Sequence, residues 1–257
     1  MRLVDVHCHL EDPVFDDRLD DIIADARRAG IARIITASVV PSDFAKSRSI
    51  AARYPEVSFA LGIHPWYVTE TSERDADSLA AARDLGAVAI GEIGLDRKID
   101  APDFELQRRI FEKQLAIANE LSLPVVLHCR GAFSELVESL KRVGRPVGGG
   151  IIHAFSGSVE IAELCLAMNL SFSMGGTLTY RNSRKREAVV RRIYPDHFML
   201  ETDSPDIPPV ECREKPNVPA HILYNLSAAA EMLGRSREEV ALRTTQTAER
   251  IFGLPPS

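Results

Sequence analysis

The sequence predicts a fold of the α/β class in its closed (β/α)8 barrel form, and three observations predict it. Eight short β-branched or apolar runs alternate with longer amphipathic stretches along the whole chain, the pattern of parallel strands joined by helical crossovers. The 257 residues, 45% of them hydrophobic, can bury one core of barrel size, and no Gly/Ser-rich or Pro-rich linker divides them. Histidines and carboxylates recur at the C-terminal ends of successive runs, and in a barrel those ends share one rim. An open doubly wound sheet would alternate in the same way, but the chain has no glycine-rich dinucleotide fingerprint to support it. One domain over residues 1–257, completed by C-terminal helices, is expected.

The elements follow from local pattern. Residues 3–8 form the first strand; residues 16–29 form a helix with Leu19, Ile22, Ile23 and Ala26 on one stripe, stopped at Gly30. Residues 33–39 are a strand and 42–53 a helix with Ser42 as its N-cap. Strand 57–63 runs into Gly62-Ile63-His64-Pro65, and 72–85 is a polar-faced helix. Strand 87–93 leads into Gly91-Glu92-Ile93-Gly94-Leu95-Asp96, followed by the longest helix, 103–121. Then come strand 124–128, helix 133–143, strand 149–153, helix 159–168 capped by Ser158, strand 170–173, helix 185–193 and strand 197–202. Two helices, 220–233 and 237–252, flank Gly234 at the end.

The formal net charge of −6 leaves no global basic field for holding nucleic acid, so an anionic substrate would need a local basic patch or a metal. Cys8, Cys129, Cys165 and Cys212 are few and widely spaced, as in reduced cytosolic proteins, and a cytoplasmic location is expected. Charge and histidine within the first nine residues speak against a signal peptide. No apolar run approaches the length of a membrane span, and no obligate protein partner is implied.

Side chains alternate faces along a strand, so His7 and His9 point the same way, with Asp5 below them and Cys8 facing away. His64, Glu92, His128, His153 and Asp203 fall at or just past other strand ends, whereas His197 opens its strand at the opposite end and His221 lies elsewhere. Satisfied core histidines would account for any one of these, not for their convergence beside two carboxylates. Imidazoles and carboxylates suit zinc, manganese, iron or nickel, and carboxylates admit magnesium. The donors exceed what one tetrahedral ion needs, which suggests two divalent ions bridged by Glu92. His7, His9, Glu92 and Asp203 would hold one; Glu92, His128 and His153 would hold the other. Asp203 could also take a proton from an activated water. Asp5 and Glu201 are expected as acceptors that orient the histidines. Arg130 and His64 could bind an anionic oxygen of the substrate, and Trp66 and Tyr67 could stack on a ring. Arg181, Arg184, Lys185, Arg186, Arg191 and Arg192 form the strongest basic run, read first as a solvated helix face and second as a strip for a nucleic-acid backbone.

The stretches DVHCHLED, GIHP, GEIGLD, LHCRGA, IIHAFSG and LETDSP, followed by Asn217-Val218-Pro219, resemble in combination and order the TatD-type metal-dependent hydrolases, a deoxyribonuclease-like branch of the amidohydrolase-type barrels. The resemblance implies a distorted (β/α)8 barrel with a two-metal centre using zinc, magnesium or manganese. It places ligands at His7, His9, Glu92, His128, His153 and Asp203, with Glu92 where many superfamily relatives carry a modified lysine. It also implies cleavage of DNA, often from a 3′ end. Trp66 departs from the polar or histidine residue common in relatives after the His-Pro pair. The Asn217 region reads Lys-Pro-Asn-Val-Pro, where an acidic residue often precedes the last proline. Both bear on substrate preference. The expected function is therefore a metal-dependent phosphodiesterase or deoxyribonuclease of 3′-5′ exonuclease kind, with Asp203 and Glu92 in catalysis. A deacylase or lactonase using the same activated water is the alternative. A purely structural metal conflicts with so many donors at an open rim.

Overall fold

Parallel β-branched runs can bury both faces only if they close on themselves or are covered by helices, and here they do both. The computed structural model describes residues 1–180, 183–214 and 216–256. One sheet carries its strands in sequence order: β1 (Leu3–Cys8), β2 (Ile31–Ala37), β3 (Val57–Leu61), β4 (Ala89–Asp96), β5 (Val125–Arg130), β6 (Gly150–Ile152), β7 (Ser171–Met174) and β8 (Phe198–Leu200). Each pairs with the next in parallel. Past the short β8, the Asp203 N–H donates to the His7 carbonyl at 2.9 Å and the His9 N–H to the Ser204 carbonyl at 2.8 Å. These bonds join the last strand to the first, so the (β/α)8 barrel closes with a distorted seam at the site itself.

The helices are α1 (Leu19–Arg28), α2 (Phe44–Arg53), α3 (Ser72–Asp75), α4 (Phe104–Leu121), α5 (Phe133–Val143), α6 (Val159–Ala167), α7 (Arg184–Ile193), α8 (Ile222–Leu233) and α9 (Arg237–Phe252). The apolar core has two layers. The inner one draws Val4, Val6, Ile35, Val126, Ile151 and Met199 from the strands and is plugged by Ala248, Phe252 and Leu254 at the end of α9. The outer one packs strand faces against helices, with Ile22 and Ile23 of α1, Phe111 and Leu115 of α4 and Leu226 of α8. Among the described residues no helix is long and apolar enough to cross a membrane.

Several local expectations change. Residues 13–18 form a 3-10 turn before α1, begun by the Asp12 side chain accepting from the Val14 N–H. Ser42 does not cap α2, because Pro41–Asp43 winds as a 3-10 turn and the Ser42 hydroxyl reaches the Asp43 carboxylate instead. The expected helix over 72–85 is α for only four residues and then 3-10 over Ala76–Ala81. There the Ser78 hydroxyl donates to the Asp75 carbonyl, competing locally with the regular helical ladder. Strand β4 extends three residues beyond the expected end at Ile93. Ser158 does cap α6, and Asp103, expected as the first residue of the longest helix, is the N-cap of α4.

Two strand irregularities matter for the site. In β1, Asp5 and Cys8 pair with Ile34 and Thr36, three steps against two; in β4, Ile90 and Ile93 pair with Val125 and Leu127, again three against two. Such bulges re-aim side chains and break simple alternation. They flank His7 and Glu92.

Candidate metal centre

Glu92 lies at the middle of the rim, 2% exposed, and its two oxygens face different histidines. Oε2 is 3.3 Å from His7 Nε2 and 3.5 Å from His9 Nε2. Oε1 is 2.8 Å from His153 Nε2, 3.1 Å from His128 Nδ1 and 3.1 Å from His64 Nε2. Asp203 Oδ1 lies 3.3 Å from His7 Nε2 and 3.5 Å from His9 Nε2. The residues expected as ligands are thus gathered in one place, in two groups that meet at one carboxylate. Close backbone approach permits this. Gly94 sits opposite His128 in the ladder with φ +150°, and a Cβ there would lie 1.9 Å from the His128 carbonyl oxygen. Asp203 itself has φ +58°, a conformation that aspartate tolerates better than most residues.

Hydrogen bonds fix which ring nitrogen each histidine offers. His9 Nδ1–H donates to the Ala37 carbonyl at 2.7 Å, leaving the Nε2 lone pair to face Glu92 and Asp203. His128 Nε2–H donates to Asp96 at 3.0 Å, leaving Nδ1 toward Glu92. His64 differs: its Nδ1 accepts from the Trp66 backbone N–H at 3.1 Å, so its Nε2 carries the proton and is a donor toward Glu92. That tautomer suits a hydrogen-bonding role better than a third ligand, although its atoms fall in one three-residue group with Glu92 and His128. His7 is fully buried, yet among the described residues neither of its ring nitrogens has a hydrogen-bond partner, and His153 Nδ1 has none either. A buried imidazole whose Nε2 stands 3.3 Å from two carboxylates without an aligned hydrogen bond, and whose Nδ1 has none, matches a place for a cation. The donor sets His7–His153–Asp203 and His7–His9–Glu92 each bring their ligand atoms within 4.8 Å of one another, and imidazole-carboxylate sets of this kind fit divalent transition ions.

The electrostatics agree. Burial alone would push the His7 imidazole down, but the adjoining Glu92 and Asp203 carboxylates carry it up to about 10. His128, also opposed by burial, is carried up to about 9 by Asp96 and Glu92. Burial would raise Glu92, but His153, His64 and His7 hold its carboxyl well below the usual range; Asp203, likewise opposed by burial, is held low by His7 and His9. Burial lowers His64. The cluster therefore favours positive charge at its centre.

Asp5 and Glu201 stand differently from expectation. Asp5 accepts from the Thr202 N–H at 2.9 Å and the Thr202 hydroxyl at 2.6 Å, and more weakly from the His7 backbone N–H. No imidazole is among its partners, because the bulge in β1 takes Asp5 out of register with the rings above it. Its burial pushes its carboxyl up to about 7. Glu201, raised by burial, accepts from the Ala154 N–H at 2.7 Å and from the Ser173 hydroxyl. It fixes the backbone after His153 and not the ring.

Two carboxylates that sequence reasoning passed over belong to the centre. Asp96, fully buried, accepts from His128, from Trp66 Nε1 at 2.7 Å, from Arg130 Nε at 2.9 Å and from the Lys98 N–H at 2.8 Å. Its position was legible: four residues past Glu92, it falls on the same strand face once β4 is allowed to continue. Glu11, 4% exposed, accepts from the Thr36 hydroxyl and stands 3.5 Å from His9 Nδ1. Cys8 is buried and donates to the Ile35 carbonyl, whereas Cys129, also buried, borders the cavity without belonging to a donor group of the cluster.

The cluster floors a cavity of about 710 Å³. Its lining after β8, β1 and β2 carries the acidic residues Asp206, Asp12 and Asp43 and the buried Glu11, among the apolar Ile207, Pro13, Val39 and Val40, with Lys46 as a cation. The lining after β3 and β5 includes Trp66, Tyr67 and Arg130. The basic run divides. Lys185 donates to the carbonyl of Ser156, a cavity residue, and Arg186 to the Tyr180 carbonyl at 2.5 Å. Arg191 and Arg192 pair with Glu187 and Glu163 on helix surfaces. Arg181 lies outside the described residues.

A (β/α)8 barrel with buried imidazoles and carboxylates converging at the C-terminal ends of its strands is the architecture of a metal-dependent hydrolase. Comparison with known proteins makes this specific. The TatD related DNase family model matches residues 4–253, and the chain belongs to that family. The metal-dependent hydrolase YabD of Bacillus subtilis is 35% identical over 98% of this chain and 99% of its own length. The protein named 3'-5' ssDNA/RNA exonuclease TatD from Erwinia tasmaniensis is 31% identical over 98% of this chain and 100% of its own. The crystal structure of the TatD homolog YjjV from Escherichia coli K12 superposes with a TM-score of 0.91 at 30% identity, covering 98% of each chain.

Proposed function

We propose that the protein is a two-metal phosphodiesterase acting on DNA ends. The observation that carries this reading is the division of Glu92: one oxygen faces His7 and His9, the other His128 and His153. One ion would be held by His7, His9, Glu92 and Asp203 and the second by Glu92, His128 and His153, with zinc, magnesium or manganese as the metals to test. When bound, such a pair supplies a water that is acidic near neutral pH and positive charge for the attacking and leaving oxygens. The chain does the rest. Asp203, held ionised beside His7 and His9, accepts the proton of the attacking water. His64, whose Nε2–H points to Glu92 Oε1 at 3.1 Å, would turn that hydrogen to a phosphate oxygen when Glu92 serves as a ligand. Arg130, its Nε held by Asp96 and nearly half of its side chain exposed, pairs with the same phosphate. The name carried by the Erwinia tasmaniensis relative favours a nucleic-acid substrate, and the cytosolic cysteine pattern favours a cytoplasmic location.

The acidic arc after β8, β1 and β2 favours a second reading, hydrolysis of a small ester, amide or lactone by the same water. Single-stranded DNA labelled at its 5′ end and a panel of acyl substrates, assayed side by side with each metal, separate the two. The expected result is metal-dependent shortening from the 3′ end, with Asp203→Ala and chelator each lowering the rate by at least about 100-fold. Turnover of acyl substrates alone would transfer the site to the second reading. DNA cleavage undiminished in Asp203→Ala would remove the assigned chemistry.

A further inference from the structure

Trp66, the chain's sole tryptophan, is held by the carboxylate that also orients His128, and the ligand cluster does not require its ring to stay uncovered. Its Nε1–H donates to the fully buried Asp96 carboxylate at 2.7 Å. That bond fixes the indole by its polar edge, yet the residue remains 44% exposed at the cavity mouth. A tryptophan serving only as packing would turn its apolar rim inward, and one serving only as a donor to Asp96 would gain by being covered. The Arg130 guanidinium lies 5.4 Å from the ring centroid and is held by the same carboxylate. The ring is 5.2 Å from His64 and 6.1 Å from His128, two of the three imidazoles that face Glu92 Oε1. Tyr67, 48% exposed, is next to it in the chain. An exposed aromatic plane, locked before any ligand arrives and placed one side chain away from a phosphate-binding centre, is a recognition surface with little ordering entropy left to lose.

We infer that Trp66, anchored by Asp96 and bordered by Arg130, is a stacking subsite for a planar nucleobase of the strand whose phosphodiester is cleaved. The inference rests on the phosphodiesterase reading and adds to it what the site recognises: a ring as well as a phosphate. Stacking is indifferent to base identity, because every base offers a π-face, so the subsite selects for the presence of a base and not for sequence. The acidic residues that follow β8, β1 and β2 disfavour a polyanion on their part of the rim, and Trp66, with Arg130 beside it, stands outside that part.

Two measurements test it, and the first needs no turnover. Because Trp66 is the sole tryptophan, the intrinsic emission of the metal-loaded protein reports on this ring. Titration with deoxyadenosine monophosphate quenches it, and 2-deoxyribose 5-phosphate at equal concentration does not; equal responses overturn the subsite. The second compares single strands ending in an ordinary or an abasic 3′ nucleotide. Wild type prefers the base-bearing end by about 5- to 150-fold in kcat/KM; Trp66→Ala brings this preference close to unity and Trp66→Phe retains most of it. A preference undiminished in Trp66→Ala overturns the subsite. If metal-loaded wild type cleaves neither strand, it is the phosphodiesterase reading that fails, and the emission titration still decides the fate of the subsite.

Discussion

Asp96 shows how much of the centre depends on a residue that holds no place in the ligand set. Its carboxylate takes hydrogen bonds from His128, Trp66, Arg130 and the Lys98 backbone. These donors outweigh the cost of its burial and keep it ionised, well below the usual carboxylate range. The bond to His128 Nε2–H decides that Nδ1 is the nitrogen turned to Glu92. Asp96→Asn keeps the volume but removes the charge and sets an amide N–H against an imidazole N–H in at least one of its orientations. The expected result is a 10- to 100-fold loss of metal affinity, the usual range for such outer partners. A red shift of Trp66 emission should accompany it as the indole loses its anchor. Competition titration with a metal-sensitive dye checks the first and a fluorescence spectrum the second; wild-type affinity in the variant would show that His128 needs no orienting. At this scale the sequence was most readable where chemistry is rare. Histidines at strand ends are conspicuous, and His7, His9, Glu92, His128, His153 and Asp203 converge as spacing suggested. Asp96 and Glu11 were hidden because carboxylates are common, and because the expected strand ended at Ile93, short of Asp96.

At the scale of elements, the site is made by irregular strands. Paired bulges in β1 and β4 turn His7 and Glu92 toward each other, and close contact between β4 and β5 brings Glu92 beside His128. Gly94 permits that contact, since a Cβ would meet the His128 carbonyl oxygen at 1.9 Å. Gly94→Ala should therefore force β4 away from β5. The expected cost is well above the roughly 1 kcal/mol charged for a strained backbone alone, a fall in Tm of more than about 3 °C for a chain of this length. Gly86→Ala is the control: its φ is +89° but a Cβ there meets nothing within 4 Å, so it carries backbone strain without crowding. Equal melting shifts in the two variants would remove crowding as the reason for Gly94. Periodicity revealed the order and type of these elements because it reports which face is buried. It could not reveal a bulge, which adds one residue to one strand and leaves composition unchanged; that is why Asp5 was placed beneath the histidines when it actually binds Thr202. Nor could it foresee the 3-10 winding after α3, where the Ser78 hydroxyl and not the apolar pattern decides the geometry.

Across the whole molecule, the barrel concentrates charge that it cannot balance with its own side chains. Without metal, protons must balance the carboxylates, and the sign of the resulting pH dependence follows from the directions. His7 rises from 6.5 to about 10 and His128 to about 9, so each contributes stability that is complete below pH 6.5 and is lost as pH climbs through those values. Asp5, raised from 3.8 to about 7, adds a loss in the same direction, complete above pH 7. Glu92 and Asp203, both lowered, work the other way, and their contribution disappears only as pH falls below the ordinary carboxylate range. Metal-free protein should accordingly be most stable just above the ordinary carboxylate range, near about pH 5, and weaken from there toward pH 9. A divalent ion replaces the protons and binds more tightly as the imidazoles lose them, so loaded protein gains stability by mass action over the same interval. The difference in Tm between loaded and chelator-treated protein should widen from pH 6 to pH 8.5, and calorimetric metal binding near pH 7 should release protons into the buffer. A constant or narrowing difference would mean that the rim histidines are not where the cation sits, and the barrel's charge would need another counterpart.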